Sequence, residues 1–321
     1  MKILWLDHAS RAGRHDKWLH LEFAKYLKRY VTNVFFYAPR MKEVEPQFTP
    51  IKYDKKLLMK DIVSKLGIDL IIMDTRSAMF DNYFPVAIYP NHAGKSSCWL
   101  PEDFREVKTP KICIEEDYHY EYTDRWYEEM GIRAIFQKHY SQYIRKMVLP
   151  VEFFPFSVDT GIFKPQNRQR KNKICLAGTL IDSIYIYRER AIKELAKEGL
   201  VDVYKGMEMV GGKYVECLND YVSHLSGASR YNLSPAKTFE IMASGSVLLT
   251  NKFMGIEDML DEGSYVTYKD DASDVIEKAE RILKDKEYVN NINKKAQACI
   301  QRRHTHDVRI KEFLKQVEKY L

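Results

Sequence analysis

The residues with the clearest chemical potential are a lysine and a glutamate three positions apart, Lys237 and Glu240. Ser234 is a favoured N-cap residue, Pro235 suits the first position of a helix, and Gly245 suits the left-handed residue that follows a helix. The pattern therefore predicts one short helix that begins beside Ser234. Lys237 and Glu240 then share a face of this helix, because side chains three positions apart are neighbours.

The start of this helix is expected to attract an anion. The first backbone N–H groups of a helix have no partner within it, and the helix dipole adds partial positive charge there, so phosphate groups bind at such ends. A cation in the first turn opposes the dipole, which makes Lys237 unusual unless an anion binds nearby. The lysine and the free amides can hold a diphosphate, and Glu240 can hold a ribose diol. The alternative is an ordinary surface ion pair between Lys237 and Glu240.

The overall composition is that of a globular protein of more than one domain. A chain of 321 residues exceeds the size at which one core usually divides, which predicts two domains of about 150 residues each. The net charge of +6 permits an anionic partner without requiring one. No stretch approaches the roughly 18 apolar residues of a membrane span. Residues 1–7 are too short and too acidic at their end for a signal peptide, so a cytoplasmic location is expected.

The cysteines are odd in number and form no Cys-x-x-Cys pair. Two of them, at 113 and 175, lie inside apolar runs, where a thiol behaves as a small hydrophobic group. We therefore expect reduced, structural cysteines and no zinc site. The five are Cys98, Cys113, Cys175, Cys217 and Cys299.

Apolar runs typical of buried strands alternate with helical segments in two successive series, which predicts parallel sheets covered by helices on both faces. The first series has strands at 2–7, 34–37, 69–73, 86–89, 111–114, 133–136 and 151–154, with helices at 16–29 and 57–66. The second has strands at 173–178, 201–204, 247–249 and 265–268, with helices at 188–198 and 214–225 and three more after 272.

The alternation is interrupted by a segment with two prolines and a glycine, followed by a polar, basic run at 166–173. This composition predicts a linker at 157–172 between an N-terminal domain at 1–156 and a C-terminal domain at 173–321. The basic run is interpreted as a solvated hinge rather than a nucleic-acid patch, since it lacks interleaved aromatic residues. Two such domains are expected to face each other across a cleft that binds ligands.

Four features follow one another in a characteristic order. They are the hinge from Pro155 to Pro165, Ala177-Gly-Thr with Tyr187-Arg188, Phe239-Glu-Ile-Met-Ala-Ser-Gly245 with Leu248-Leu-Thr-Asn251, and His304-Thr305 before the last helix. This order resembles the GT-B glycosyltransferases, and within them the CgeB-like branch of the nucleotide-sugar family that includes the GT4 enzymes. The run Glu115-Glu-Asp-Tyr-His119 is also similar to the Asp-containing end of a central strand in the N-terminal domain of that branch.

The resemblance implies an α/β GT-B fold, with two Rossmann-like domains facing across a cleft and helices at the C-terminus. It implies that the C-terminal domain holds the donor, a nucleotide-diphosphate sugar, and that the N-terminal domain holds the acceptor. Glu240 would bind the ribose hydroxyls, while Lys237 and Arg188 would hold the diphosphate. Backbone groups would come from Gly178, Ser234, Pro235 and Ala236.

One position departs from the GT4 pattern, which has two glutamates separated by seven residues. Counting back eight residues from Glu240 leads to Asn232. An amide cannot supply the negative charge that the first glutamate offers near the sugar, although it can still bond hydroxyl groups. Asn232 is therefore expected at the donor site, and the departure leaves the donor sugar and the stereochemistry open.

Sugar transfer requires the leaving diphosphate to be stabilised while positive charge develops at the sugar carbon, which fixed cations and helix amides can do. The sequence contains no Asp-x-Asp, so neither a metal ion nor a cofactor beyond the donor is expected. Retention of configuration, as in the wider GT4 family, is favoured, with a diphosphate oxygen of the donor accepting the proton of the acceptor hydroxyl.

An inverting enzyme would instead need a base from the N-terminal domain. The candidates follow or flank predicted strand ends and are Asp117, His119, His15 and His92. Asp117 and His119 form the best pair because alternate residues of an extended segment point the same way. For each histidine, a role in a loop without chemistry is the alternative. Nearby aromatic residues, among them Tyr127, either stack on sugars or belong to the core.

The function indicated is therefore a glycosyltransferase, in the first instance a hexosyltransferase, acting on a hydroxyl of a glycan, a glycolipid or another acceptor. Three other functions remain open. A 2-epimerase of nucleotide sugars would use the same architecture, and a non-catalytic module binding nucleotide sugars or glycans would follow if Asn232 marks a lost site. A phage-type enzyme that glycosylates DNA bases is allowed by the positive charge, although nucleic acid is not the favoured partner. Peripheral contact with a membrane is also compatible with the sequence.

Overall fold

The chain divides into two units, each built on its own parallel sheet. The computed structural model describes residues 1–6, 23, 26–37, 49–52, 54, 56–74, 100–115, 124–140, 148–181, 184–206 and 208–321. The N-terminal unit contains residues 1–154 and 310–321, and the C-terminal unit contains residues 155–309. In these ranges, no helix combines the length and the apolar character needed to cross a membrane.

The N-terminal unit has a seven-stranded sheet in the order β3-β2-β1-β4-β5-β6-β7, and all neighbouring strands are parallel. The strands are β1 (Lys2–Leu6), β2 (Asn33–Tyr37), β3 (Thr49–Ile51), β4 (Leu70–Asp74), β5 (Lys111–Glu115), β6 (Ala134–Gln137) and β7 (Val151–Phe153). The helices are α1 (Met59–Leu66), α2 (Asp124–Met130) and a 3₁₀ turn at Glu102–Arg105. The strand predicted at 86–89 and most of the helix predicted at 16–29 lie outside the described residues.

The central strands of this sheet are mostly apolar because both of their faces are covered. In β1, Leu4 and Leu6 pack into one apolar cluster, while Ile3 and Trp5 pack into a second cluster on the opposite face. Alternate residues of a strand point to opposite faces, so a strand between two layers needs apolar residues at every position. The strand β3 was not predicted, and its Pro50 fits the edge position that β3 occupies.

The C-terminal unit has a five-stranded parallel sheet in the order β12-β11-β10-β8-β9. The strands are β8 (Lys171–Gly178), β9 (Val201–Lys205), β10 (Tyr221–Leu225), β11 (Val247–Asn251) and β12 (Val266–Tyr268). The helices are α3 (Ile186–Lys197), α4 (Gly212–Asp220), α5 (Lys237–Ala243), α6 (Ile256–Met259), α7 (Val275–Lys284) and α8 (Lys286–Arg303). The last helix, α9, spans His306–Val317 and is followed by a 3₁₀ turn at Glu318–Tyr320.

The helix predicted at 214–225 is wrong in its second half. The helix ends at Asp220, and Tyr221–Leu225 form β10, the central strand of the sheet, between β8 and β11. Pairing on both sides satisfies the backbone of this segment and buries Tyr221 and Leu225. Tertiary pairing therefore overrides the local helical spacing.

The predicted domain boundaries also differ from the structure. Residues 310–321 were assigned to the C-terminal domain, but Ile310, Phe313 and Val317 pack into an apolar cluster of the N-terminal unit. Strand β8 begins at Lys171 and therefore includes the last two residues of the predicted linker at 157–172. Arg168 pairs with Asp220 at 2.8 Å, and the Arg170 guanidinium donates to the Tyr221 and Ser244 carbonyls.

We expect Phe313→Ala to lower the free energy of unfolding by about 3–5 kcal/mol, the usual cost of removing a buried phenylalanine. Its ring lies 4.9 Å from Phe136, 5.1 Å from Phe154 and 5.6 Å from Phe23, centroid to centroid. Urea denaturation followed by circular dichroism measures the change. Lys315→Ala, at an exposed position of the same helix, is the control and should change the free energy by less than about 0.5 kcal/mol. Similar small effects of both variants would contradict the assignment of α9 to this core.

Candidate functional site

The helix α5 follows the prediction at its end but not at its start. Gly245 has a φ of +71°, which confirms the left-handed residue expected after the helix. Ser234 was predicted as the N-cap, but its buried hydroxyl has no hydrogen-bond partner among the described residues. The helix begins instead at Lys237, after a tight turn in which the Thr238 N–H donates to the Pro235 carbonyl at 3.1 Å. The N-cap prediction is therefore wrong, and the backbone turn takes its place.

Lys237 and Glu240 do not form a surface ion pair. The Lys237 ammonium donates to the carbonyl of Ala177, at the end of β8, and lies 5.3 Å from the centre of the Tyr214 ring. Glu240 is only 7% exposed, and its Oε2 accepts a hydrogen bond of 2.7 Å from the Tyr214 hydroxyl. The alternative of a solvated i,i+3 pair is therefore wrong. Both side chains point into the interior of the C-terminal unit.

Arg188 is the second cation at this place. It is 3% exposed, and its guanidinium donates to the carbonyls of Thr179 at 3.0 Å and Gly227 at 3.2 Å. The guanidinium also lies 4.2 Å from the centre of the Tyr185 ring. Its Nε–H is buried and has no hydrogen-bond partner among the described residues. Among the residues that the structure describes, no carboxylate forms an ion pair of 4.0 Å or less with Arg188 or Lys237.

Gly178 joins the two cations. It is the last residue of β8, and a Cβ atom placed there would collide with the Lys237 ammonium and lie 4.0 Å from Nη1 of Arg188. Any larger residue would displace the lysine. The structure thus brings together Gly178, Arg188, Lys237 and Glu240 in one unit, and we call this group the Arg188–Lys237 site.

The electrostatics of this site are dominated by burial. Burial and the neighbouring Arg188 lower the pKa of Lys237 to about 8. Burial likewise lowers the pKa of Arg188. Burial raises the pKa of Glu240, although the Tyr214 hydroxyl and Lys237 act in the opposite direction. A buried cation with a half-buried cation close to it creates a local preference for an anion, because charges removed from water are unfavourable unless they are paired.

Asn232 has an exposed position in a turn, with a φ of +61°. Its N–H donates to the Ser229 carbonyl at 2.8 Å, and its carbonyl accepts from the Met254 N–H at 3.1 Å. Asparagine is one of the few residues besides glycine that adopt the left-handed region readily. The backbone conformation therefore gives a reason for asparagine at 232, and a role at the sugar stays a prediction.

The four candidate bases, Asp117, His119, His15 and His92, lie outside the described residues and stay predictions. Strand β5 ends at Glu115, two residues before Asp117, and the sequence analysis did not select Glu115 as a candidate. This carboxylate is buried at the carboxyl end of β5, and it accepts from the Tyr127 hydroxyl and, at 2.9 Å, from Nε2 of Gln137. Tyr127 is fully buried, so it belongs to the core rather than to a sugar-stacking surface.

A second group of reactive side chains also escaped the sequence analysis. Cys175, Cys217 and His224 are buried, and their sulfur and nitrogen atoms all lie within 4.8 Å of one another. The cysteines had been expected to be reduced and structural, without a zinc site. The four described cysteines form no disulfide, and the fold brings two of them together from strand β8 and helix α4. His224 was hidden because its strand had been predicted as helix.

Comparison with known proteins shows a similarity in the C-terminal half of the chain. Residues 162–315 match the model of a family described as glycosyl transferase-like. No curated protein sequence matches the chain. The match covers nearly the whole C-terminal unit, including every residue of the Arg188–Lys237 site.

Solved structures match the chain over its full length. A glycosyltransferase from Rickettsia africae has a TM-score of 0.68 and 11% identity, covering 99% of this chain and 98% of that one. HepE from Anabaena in complex with UDP has a TM-score of 0.67 and 12% identity, covering 99% and 100%. T4 phage BGT in complex with its UDP-glucose substrate has a TM-score of 0.61 and 10% identity, covering 100% and 99%. The chain therefore has the GT-B fold, and residues 162–315 are similar to the glycosyl transferase-like family.

We expect Tyr214→Phe to lower the free energy of unfolding by about 1.5–3 kcal/mol, because the buried carboxylate of Glu240 loses the hydrogen bond that the Tyr214 hydroxyl donates. Thermal or urea denaturation measures the loss. The same substitution in a Glu240→Gln background should cost clearly less, since a neutral amide depends less on that donor. Equal losses in the two backgrounds would contradict the coupling. Tyr288→Phe, which removes a tyrosine hydroxyl elsewhere in the same unit, is the matched control.

Proposed function

We propose that this glycosyltransferase moves a sugar from a nucleotide-diphosphate sugar, with uridine diphosphate as the nucleotide, to an acceptor hydroxyl. The observation that carries the proposal is a pair of cations, the buried Arg188 and the half-buried Lys237, beside Gly178 at the end of β8. Support for the nucleotide comes from HepE and T4 phage BGT, whose structures contain UDP or UDP-glucose. The closest chemical match to two adjacent cations is a ligand with two adjacent negative groups.

A diphosphate matches the charges of the Arg188–Lys237 site. An isolated buried cation costs several kcal/mol, and a like charge beside it adds to that cost. Arg188 uses Nη1 and Nη2 on backbone carbonyls and keeps a buried Nε–H for another acceptor. Guanidinium groups bind phosphate with fixed geometry, and a lysine ammonium acts as an adaptable point charge beside them. We therefore propose that Arg188 and Lys237 bind the diphosphate, and that the absence of a side chain at Gly178 lets the diphosphate come close to the backbone.

Glu240 is suited to the ribose. An ionised carboxylate has two acceptor oxygens, and only Oε2 is occupied by the Tyr214 hydroxyl. A ribose presents two adjacent hydroxyl donors, which a carboxylate can accept. Glu240 follows Lys237 by one turn of α5, so a nucleotide can reach both side chains with its diphosphate and its sugar. The assignments of Ser234, Pro235, Ala236 and Asn232 to the donor remain part of this proposal.

The same groups can assist the chemical step. As the bond from the anomeric carbon to the diphosphate breaks, negative charge grows on the leaving oxygen, and Arg188 and Lys237 are fixed in place to stabilise it. Such fixed cations supply this stabilisation without a metal ion, and we propose a metal-independent transfer. We also propose retention of configuration, with a diphosphate oxygen receiving the proton of the acceptor. Inversion would require one of Asp117, His119, His92 or His15 as the base.

A nucleic-acid acceptor gains no support from the basic run at 166–173. Arg168 is paired with Asp220 and Glu216, and Arg170 is bonded to backbone carbonyls of α4, β10 and α5. These arginines stabilise the C-terminal unit itself, so they contribute less to a phosphate-binding surface than the sequence suggested. We therefore propose a glycan, a glycolipid or another small hydroxyl acceptor.

We expect Lys237→Met to weaken binding of UDP by about 10- to 100-fold, because it removes one charge-assisted contact of roughly 1.5–3 kcal/mol. Isothermal titration calorimetry with UDP and with UMP measures this effect. The loss should be much smaller for UMP, which lacks the second phosphate. Lys193→Met, at an exposed lysine of α3 paired with Glu189, is the control and should bind both nucleotides like the wild type. The proposal fails if the wild type does not bind UDP, or if Lys237→Met binds it unchanged.

We expect the affinity for UDP to fall as the pH rises through about 8, the pKa of Lys237. Below this pH the lysine is charged in the free protein, whereas above it a proton must be taken up on binding, which weakens binding by up to tenfold per pH unit. UDP itself is fully ionised above about pH 7.5, because the last phosphate pKa is near 6. Calorimetry at pH 7 to 9.5 measures the trend. Lys237→Arg should abolish it, since arginine keeps its charge; the same slope in that variant would contradict the assignment.

A further inference from the structure

Beneath the Arg188–Lys237 site lies the group of Cys175, Cys217 and His224. Cys175 lies on β8 three residues before Gly178, and Cys217 lies on α4 three residues after Tyr214. His224 comes from the neighbouring strand β10. The three residues are 0%, 3% and 1% exposed, so the group is fully enclosed. None of them has a role in the proposed sugar transfer.

The distances within this group are close to those around a tetrahedral zinc ion. Zn–S bonds of about 2.3 Å and Zn–N bonds of about 2.0–2.1 Å place two bound sulfur atoms about 3.8 Å apart and a sulfur and a nitrogen about 3.6 Å apart. The two sulfur atoms here are 3.6 Å apart, and Sγ of Cys217 is 4.0 Å from Nε2 of His224. All three atoms lie within 4.8 Å of one another. Small side-chain rotations would complete the geometry.

The histidine is oriented as a metal-binding histidine usually is. Its Nδ1 lies 2.8 Å from Oγ of Ser246, and that hydroxyl donates its only proton to the Tyr221 carbonyl at 3.3 Å. In the tautomer in which Nδ1 donates to Ser246, the lone pair of Nε2 faces Cys217. Second residues that fix the ring in this way are characteristic of metal ligands.

The chemistry of the three side chains also suits a metal ion. Two thiolates and one doubly charged cation add to zero, which is the charge that an enclosed site tolerates best. Thiolate and imidazole are ligands that select zinc and similar soft ions.

We propose that Cys175, Cys217 and His224 form a structural site for a thiophilic divalent ion, with Zn²⁺ as the natural occupant. Binding replaces the two thiol protons, which pass to solvent, by two metal–sulfur bonds, and Nε2 of His224 supplies the third ligand. A water molecule takes the fourth position. The ion would tie the end of β8 to α4, the two elements that carry Gly178 and Tyr214. This inference is independent of the proposed sugar transfer.

The test is a titration of the reduced, metal-free full chain with Co²⁺, which reports cysteine ligands through charge-transfer absorption in the near ultraviolet. We expect saturation at one equivalent and displacement of Co²⁺ by Zn²⁺. Cys217→Ser should lose most of this absorption. Cys299→Ser, at a buried cysteine of the same unit whose sulfur lies near the Met259 carbonyl, is the matched control and should keep it. Ser246→Ala should weaken binding by about 10- to 100-fold.

Two results would overturn the inference. One is the absence of a saturable thiolate band in folded wild-type protein, and the other is a band that persists unchanged in Cys217→Ser. UDP binding by the metal-free wild type distinguishes this outcome from a failure of the proposed function. A loss of UDP binding with an intact cobalt spectrum would count against the transferase assignment and leave the metal site standing.

Discussion

The C-terminal unit is organised by one electrostatic constraint, the placement of a buried and a half-buried cation side by side without carboxylate partners among the described residues. In that part of the chain, Arg188 contacts carbonyl oxygens and the face of Tyr185, and Lys237 donates to the carbonyl of Ala177. Carbonyl dipoles lessen the cost of these charges but do not neutralise them. A protein keeps such an arrangement when an anion completes it. The sheet, the glycine at 178 and the first turn of α5 all hold this arrangement in place.

Two groups of residues lie next to the cations. The first is the part-buried hydrogen bond from the Tyr214 hydroxyl to Glu240, the carboxylate of α5 that raises the pKa of Lys237. The second is the group of Cys175, Cys217 and His224. Helix α4 contributes to both, with Tyr214 near its start and Cys217 one turn later. A shift of α4 would move the Tyr214 hydroxyl that donates to Glu240. The contact between α4 and β8 therefore affects the position of the Glu240 carboxylate.

Much of this could be predicted from the sequence, because parallel strands buried on both faces have a local signature. The strand that ends at Gly178 and the helix that carries Lys237 and Glu240 could be predicted from neighbouring residues alone. The rest depends on long-range packing. The spacing of residues 221–225 predicts the end of a helix, and only their pairing with β8 and β11 makes them a strand. The packing of Phe313 in the N-terminal unit depends on aromatic rings that are far away in the sequence. The contact of Cys175 with Cys217 joins positions 42 residues apart, which no spacing rule anticipates.

Asn232 shows how backbone geometry bears on the remaining functional question. The residue departs from the glutamate of the GT4 pattern, and a lost charge at that position was one reason to consider a non-catalytic binding module. Its φ of +61° lies in a region that asparagine adopts several times more readily than most side chains, and a glutamate there would carry conformational strain. The choice of asparagine is therefore accounted for by the turn and is not by itself a sign of decay. A site that no longer binds an anion would be free to lose these costly charges first, yet Arg188 and Lys237 are both present. The retained cation pair thus weighs in favour of a site that still binds an anion, which a transferase and a nucleotide-sugar-binding module both require.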